Sequence, residues 1–131
     1  MFSYVSRFPW THCANLNLLS KMTQAVYLVL KGATAVTHSS IRAELIMIGT
    51  ELLLGQTVDT NAAYIAEQLA ANGINVYFKA TVGDNWTRLT GVLAQALTRA
   101  DIVITSGGLG PTEDDLTREV VSAVLRRPLV E

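Results

Sequence analysis

The sequence predicts an α/β fold: three layers, α/β/α, around a mainly parallel sheet. Two observations carry this reading. From residue 43 onward, short apolar runs alternate with segments of helical periodicity in the order β-α-β-α-β-α. The runs are also nearly continuous in their apolar character, the pattern of strands covered on both faces. Right-handed crossovers follow for such a sheet. Ligands of such sheets bind outside the carboxyl ends of the strands.

Each element has its own justification. "AELIMIG" (43–49) is a short apolar run closed by a glycine and reads as a buried strand. "DTNAAYIAEQLAANG" (59–73) reads as a helix, with Asp59, Thr60 and Asn61 as N-cap candidates and Gly73 as the stop. Its inward face is Ala62, Ile65, Ala66 and Leu69. "INVYFKATVG" (74–83) is the second strand. "DNWTRLTGVLAQALTRA" (84–100) is the second helix, with Trp86, Leu89, Leu93, Ala96 and Leu97 on one side and Gly91 weakening it. "DIVITSGG" (101–108) is the third strand. "DLTREVVSAVLRR" (115–127) is the third helix, facing inward through Leu116, Val120, Val124 and Leu125, with Pro128 just beyond.

The charge distribution divides the 131-residue chain near residue 43. No Asp or Glu precedes Glu44, while Arg7, Lys21, Lys31 and Arg42 do. Residues 44–131 hold all 11 acids against six bases, a net of −5. Residues 1–42 are therefore expected to be a separate, poorly ordered leader, with a faint likeness to a transit peptide. The domain is expected over 43–131. The lone Cys13 permits no disulfide within the chain, which fits a reducing, cytoplasmic setting. Both histidines, His12 and His38, lie before residue 43, so the acidic part holds neither His nor Cys. Ser-His-Asp and Cys-His catalysis and imidazole or thiolate zinc sites are excluded there. No apolar run reaches the roughly 18 residues of a membrane helix. Neither a membrane nor a nucleic-acid partner is expected. A homo-oligomer is compatible with the sequence.

Three segments follow the predicted strands: "GTELLLG", "VGDN" and "GGLGPTEDD". Each pairs glycine with an acid. In the last, Gly107, Gly108 and Gly110 permit close approach of a ligand, Thr112 offers a hydroxyl, and the following helix start favours an anion. No Lys follows the glycines, so this is not a Walker A loop, and the dinucleotide spacing fails as well. Every acid also has an ordinary explanation. Asp84, Asp114 and Asp115 precede helices and could cap them, and Glu51 could cap a short turn. Their shared location at strand ends raises the functional reading. Phosphate beside carboxylates requires a bridging cation, and Mg²⁺ suits oxygen ligands alone.

The combination "GTELLLGQTVDTN", "VGDN" and "GGLGPTEDDLT" resembles the N-terminal domain of the competence- and damage-inducible CinA family, within the molybdopterin-binding MoaB/Mog-like superfamily. The resemblance spans residues 43–131. It implies a MoaB/Mog-like fold, C-terminally incomplete because the family domain continues with further strands and a helix. It implies a site for a phosphorylated pterin or nucleotide, lined by Thr50, Glu51, Asn61, Gly107, Gly108, Gly110 and Thr112. It also implies Mg²⁺-dependent hydrolysis of ADP-ribose in pyridine-nucleotide salvage. Asp84 and Asp115, matching the family's functional aspartates, would be the catalytic and metal-holding residues. The alternative is a binding module without turnover, or an inactive fragment. The amidase domain of longer members is absent from this sequence.

Overall fold

The computed structural model of the chain describes residues 26–30, 40–110, 112 and 115–129. Four strands form one sheet: β1 (Val26–Leu30), β2 (Arg42–Ile48), β3 (Asn75–Val82) and β4 (Ile102–Ser106), in the order β1-β4-β2-β3. Among the described residues, four helices accompany them: α1 (Thr50–Leu53), α2 (Thr60–Ala71), α3 (Trp86–Arg99) and α4 (Thr117–Leu125). β2 is central and runs parallel to both β3 and β4. The mainly parallel three-layer sheet expected from the alternation is the one observed.

β2 shows why its sequence has so little polar alternation. Ile46 and Ile48 face one layer, where they pack with Leu89, Leu93 and Ala96 of α3 and Val120 and Val121 of α4. Leu45 and Met47 face the other, against Ala62, Ile65 and Leu69 of α2. A strand buried on both sides has no face left for polar residues. The two clusters place α2 on one side of the sheet and α3 with α4 on the other, as right-handed crossovers require.

Four features depart from the sequence reading. Residues 26–30, within the segment read as a leader, add an edge strand that pairs antiparallel with β4. The remainder of the expected poorly ordered leader lies outside the described residues. A four-residue helix, α1, follows β2, too short to carry a periodicity. Trp86, assigned to the inward face of its helix, is 45% exposed. In α4, Thr117 and Val121, not assigned to the inward face, are buried, while Leu116, Val124 and Leu125 pack against the core partly buried.

Both long crossover helices begin with side-chain caps. Asp59 Oδ1 accepts from Ala62 N at 3.0 Å at the head of α2. Asn85 Oδ1 accepts from Arg88 N at 3.1 Å at the head of α3. Each bond satisfies one of the donors that a helix start leaves open.

Candidate functional site

The parallel register carries the ends of β2, β3 and β4 to one edge of the sheet: Ile48 lies opposite Val82, and Met47 opposite Ser106. The three glycine-and-acid segments therefore emerge side by side. Gly49 N donates to Val82 O at 3.0 Å and ties the first two together. Gly107 lies so close to β2 that a Cβ on it would collide with the carbonyl of Ile48. Its φ of 102° and the 61° of Gly108 are left-handed values that favour glycine. The glycine pair thus presses the third loop against the end of the central strand.

Asp84 does not cap α3, because Asn85 does. Its Oδ2 instead accepts from Thr50 N at 3.0 Å and Thr50 Oγ1 at 2.9 Å, 34 residues away. The Asp84 backbone N–H donates back to Thr50 Oγ1 at 3.3 Å. One carboxylate thus caps α1 and fastens the loop after β3 to the loop after β2. Glu51 folds back over Gly49, where its carboxylate fills the space a Cβ would need. Asn61 lies in the first turn of α2, half-buried and engaged within the protein.

Asp115 is likewise no helix cap. Its Oδ2 accepts from Thr112 N at 3.0 Å and from Thr112 Oγ1, and its own N–H donates to Thr112 O at 3.0 Å. These donors favour the charged form. The Thr112 hydroxyl first, then the Gly110 and Thr112 amides, hold the Asp115 carboxyl below the ordinary 3.8. A Cβ on Gly110 would strike this carboxylate. Leu116 is the N-cap residue of α4 and provides no side-chain cap. The other loop acids, Glu113 and Asp114, lie outside the described residues, as does Pro111.

Two residues of this edge were not singled out from the sequence. Thr117 is fully buried and its Oγ1 donates to Gly107 O at 2.8 Å, while its N–H donates to Gly108 O at 3.2 Å. It clamps the glycine turn to α4. A hydroxyl residue between an acidic loop and a helix was the available signal. Arg118, next along, has a buried Nε without a hydrogen-bond partner among the described residues. Nothing in its sequence context marks it.

The expected metal-holding residues are Asp84 and Asp115. Among the described residues, no three His, Cys, Asp or Glu side chains gather as a ligand set. Asp84 and Asp115 each already accept two protein donors on one oxygen. No helix among the described residues is long and apolar enough to cross a membrane.

Comparison with known proteins agrees with this fold. The family profile described as "Probable molybdopterin binding domain" matches residues 44–131. A competence-damage inducible protein of Levilactobacillus brevis is 59% identical over 91 residues, covering 70% of this chain and 22% of that protein. One from Symbiobacterium thermophilum is 60% identical over 87 residues, covering 66% and 20%. The chain thus spans about a fifth of the length of these relatives. Among solved structures, the CinA protein of Thermoplasma acidophilum superposes with a TM-score of 0.64 at 38% identity, over 66% of this chain and 52% of that one. The molybdopterin biosynthesis enzyme MoaB of Thermus thermophilus gives 0.62 at 25% identity, over 68% and 57%. From Glu44 onward the chain belongs to the MoaB/Mog-like molybdopterin-binding domain family, on its CinA branch.

Proposed function

We propose that the carboxyl edge of the sheet is a binding module for a phosphorylated pterin or nucleotide. The observation that carries this is the uncapped start of α4 at the mouth of the glycine turn. α2 and α3 have side-chain caps, whereas the acid nearest to α4, Asp115, is turned away to Thr112. The Thr117 N–H is taken by Gly108 O, and the next amides of the first turn, those of Arg118 and Glu119, are left to an anion, aided by the helix dipole. Arg118, in that turn, supplies a guanidinium, the side chain best matched to phosphate. Gly107 and Gly108 allow the phosphate to approach the backbone closely. Thr50 and Thr112 hold the two aspartates back from it.

The second reading is Mg²⁺-dependent cleavage of ADP-ribose or a related pyrophosphate, with Asp84 and Asp115 as its residues. It draws support from one observation: neither carboxylate has a basic partner among the described residues. The two readings differ in sign when a charge is removed. For binding alone, Asp115→Asn relieves repulsion and leaves affinity for AMP equal or tighter. For a metal-bridged site, the same change weakens binding and turnover. The test is calorimetric titration of the full chain with AMP and ADP-ribose, with and without Mg²⁺, alongside assay for AMP release. Asp114→Asn serves as control. Binding without AMP release supports the module. Release of AMP that Asp115→Asn abolishes establishes the hydrolase reading instead, and absence of binding to any phosphorylated probe overturns both.

A further inference from the structure

Without β1 the sheet would have two outer strands, β3 and β4, and only one of them protects itself. β3 carries a bulge where its register against β2 shifts between Ala43 and Glu44, and it bears the half-exposed Lys79. Both devices discourage pairing with a further strand. β4 has neither. Its residues, Ile102–Ser106, include no charge, glycine or proline, and they pair with β2 without a register shift. Val103 lies in one core layer and Ile104 in the other, so the strand is buried on both faces. A bare edge on such a strand is a template for another strand. Residues 26–30 cover it, in antiparallel register from Val26 opposite Ser106 to Leu30 opposite Ile102. This covering strand lies outside the stretch that the family profile matches, residues 44–131. Among the described elements β4 is its one sheet neighbour, and no helix packs closely against it.

We propose that the outer edge of β4 is a docking edge for an extended apolar strand, and that residues 26–30 are its tethered occupant, held in cis and displaceable. The connection between β1 and β2 permits this. Leu30 and Ala43 both lie opposite Ile102, on either side of β4, so the chain crosses two strand spacings, about 10 Å. The 11 residues from 31 to 41 reach roughly 35–40 Å when extended. A tether of that length keeps its strand at a local concentration on the order of millimolar, enough to hold the edge against free competitors. The strand itself is short, five residues on one ladder, so it yields where its pairing is weakened. The partner that an emptied edge then fits is a second copy of this chain, whose own β4 is equally bare.

Two sets of variants of the full chain test this. Leu30→Cys with Ile102→Cys, in a Cys13→Ser background, places thiols on residues paired across the ladder, within disulfide reach. Mild oxidation should give a cross-linked monomer. Disulfide-linked dimers, or no cross-link at all, would overturn the assignment of residues 26–30 as the cis occupant. Leu28→Pro with Val29→Pro removes two successive N–H groups, one of which faces β4, and should unseat the strand. In sedimentation this variant should form a larger assembly than the unaltered chain. It should also bind a synthetic peptide of residues 21–32 at least about 10-fold more tightly than the unaltered chain does, and the peptide should disperse the assembly. A variant that assembles no further and takes up no peptide would overturn the proposal. The cysteine pair decides where the proline variant does not fold. Its oxidised, locked form should lose the peptide binding that the reduced form shows, and equal binding by the two forms would overturn the proposal as well.

Discussion

The two ends of the sheet handle charge in opposite ways. At the amino end, carboxylates are matched by arginines. Glu44, fully buried in β2, receives Arg99 Nε at 2.8 Å and Nη2 at 2.7 Å, and the Arg99 guanidinium lies 3.7 Å from the centre of the Phe78 ring. Arg42 makes a similar fork onto Asp101, with both bonds at 3.1 Å. At the carboxyl end, Asp84 and Asp115 are held by threonine hydroxyls and backbone amides, which orient a carboxylate without neutralising it. Asp59 is the exception at that end: it caps α2 and lies 3.6 Å from Lys79. Charges that serve the fold are neutralised within it. The two aspartates at the carboxyl end keep their charge without a basic partner among the described residues.

The largest effect expected from breaking this contrast is at the amino end. Arg99→Ala strands the Glu44 carboxylate in the core, and removing one member of a buried pair is far costlier than replacing both. We expect Tm to fall by roughly 10 °C or more. The double variant Glu44→Leu with Arg99→Met should recover much of that loss, as measured by thermal unfolding. The Arg42–Asp101 pair is half exposed, and Arg42→Ala should change Tm little.

At the carboxyl end the strongest response belongs to a glycine. Gly107→Ala adds a Cβ against the Ile48 carbonyl at a φ of 102°. Strain at such a position costs about 1–3 kcal/mol before the collision is counted, so urea unfolding should show a loss of at least about 2 kcal/mol. Gly91→Ala in α3 is the opposite case. That glycine is exposed with open space around it, and alanine should add about 0.5–1 kcal/mol without altering either end.

The smallest effect is a pH dependence. Asp115 has its carboxyl held below the ordinary 3.8, so its contribution is fully present above that value. It is lost as pH falls through the lower folded value. Unfolding measured from pH 7 down to pH 3 should show a component that Asp115→Asn removes. Equal profiles for the two proteins would mean that the Thr112 contacts do not persist in solution.

The repeat of strand and helix was legible because it is written locally. Periodicity placed Leu45 and Ile46 in a strand buried on both faces, and Ala62, Ile65 and Leu69 on one helix face. The clustering of the three acidic glycine loops at one edge also followed, because parallel strands bring all their carboxyl ends to the same side. The partners of individual acids were not legible. Asp84 reads as a possible cap of its helix, and only the approach of Thr50 from 34 residues away turns it aside and leaves the cap to Asn85. Glu44 reads as one acid in an apolar run until Arg99, 55 residues on, reaches it.

The sequence by itself determined the β-α repeat, the apolar faces of its helices and the edge on which a ligand would meet glycine, hydroxyl and carboxylate. These depend on backbone propensity and burial over short windows, which neighbouring residues settle among themselves. Only the tertiary structure decided the strand order β1-β4-β2-β3, the pairing of residues 26–30 with β4, the turning of Asp115 onto Thr112 and the half-exposed position of Trp86. Those depend on which groups arrive from distant parts of the chain to compete for the same donors and the same space, and no local pattern records that competition.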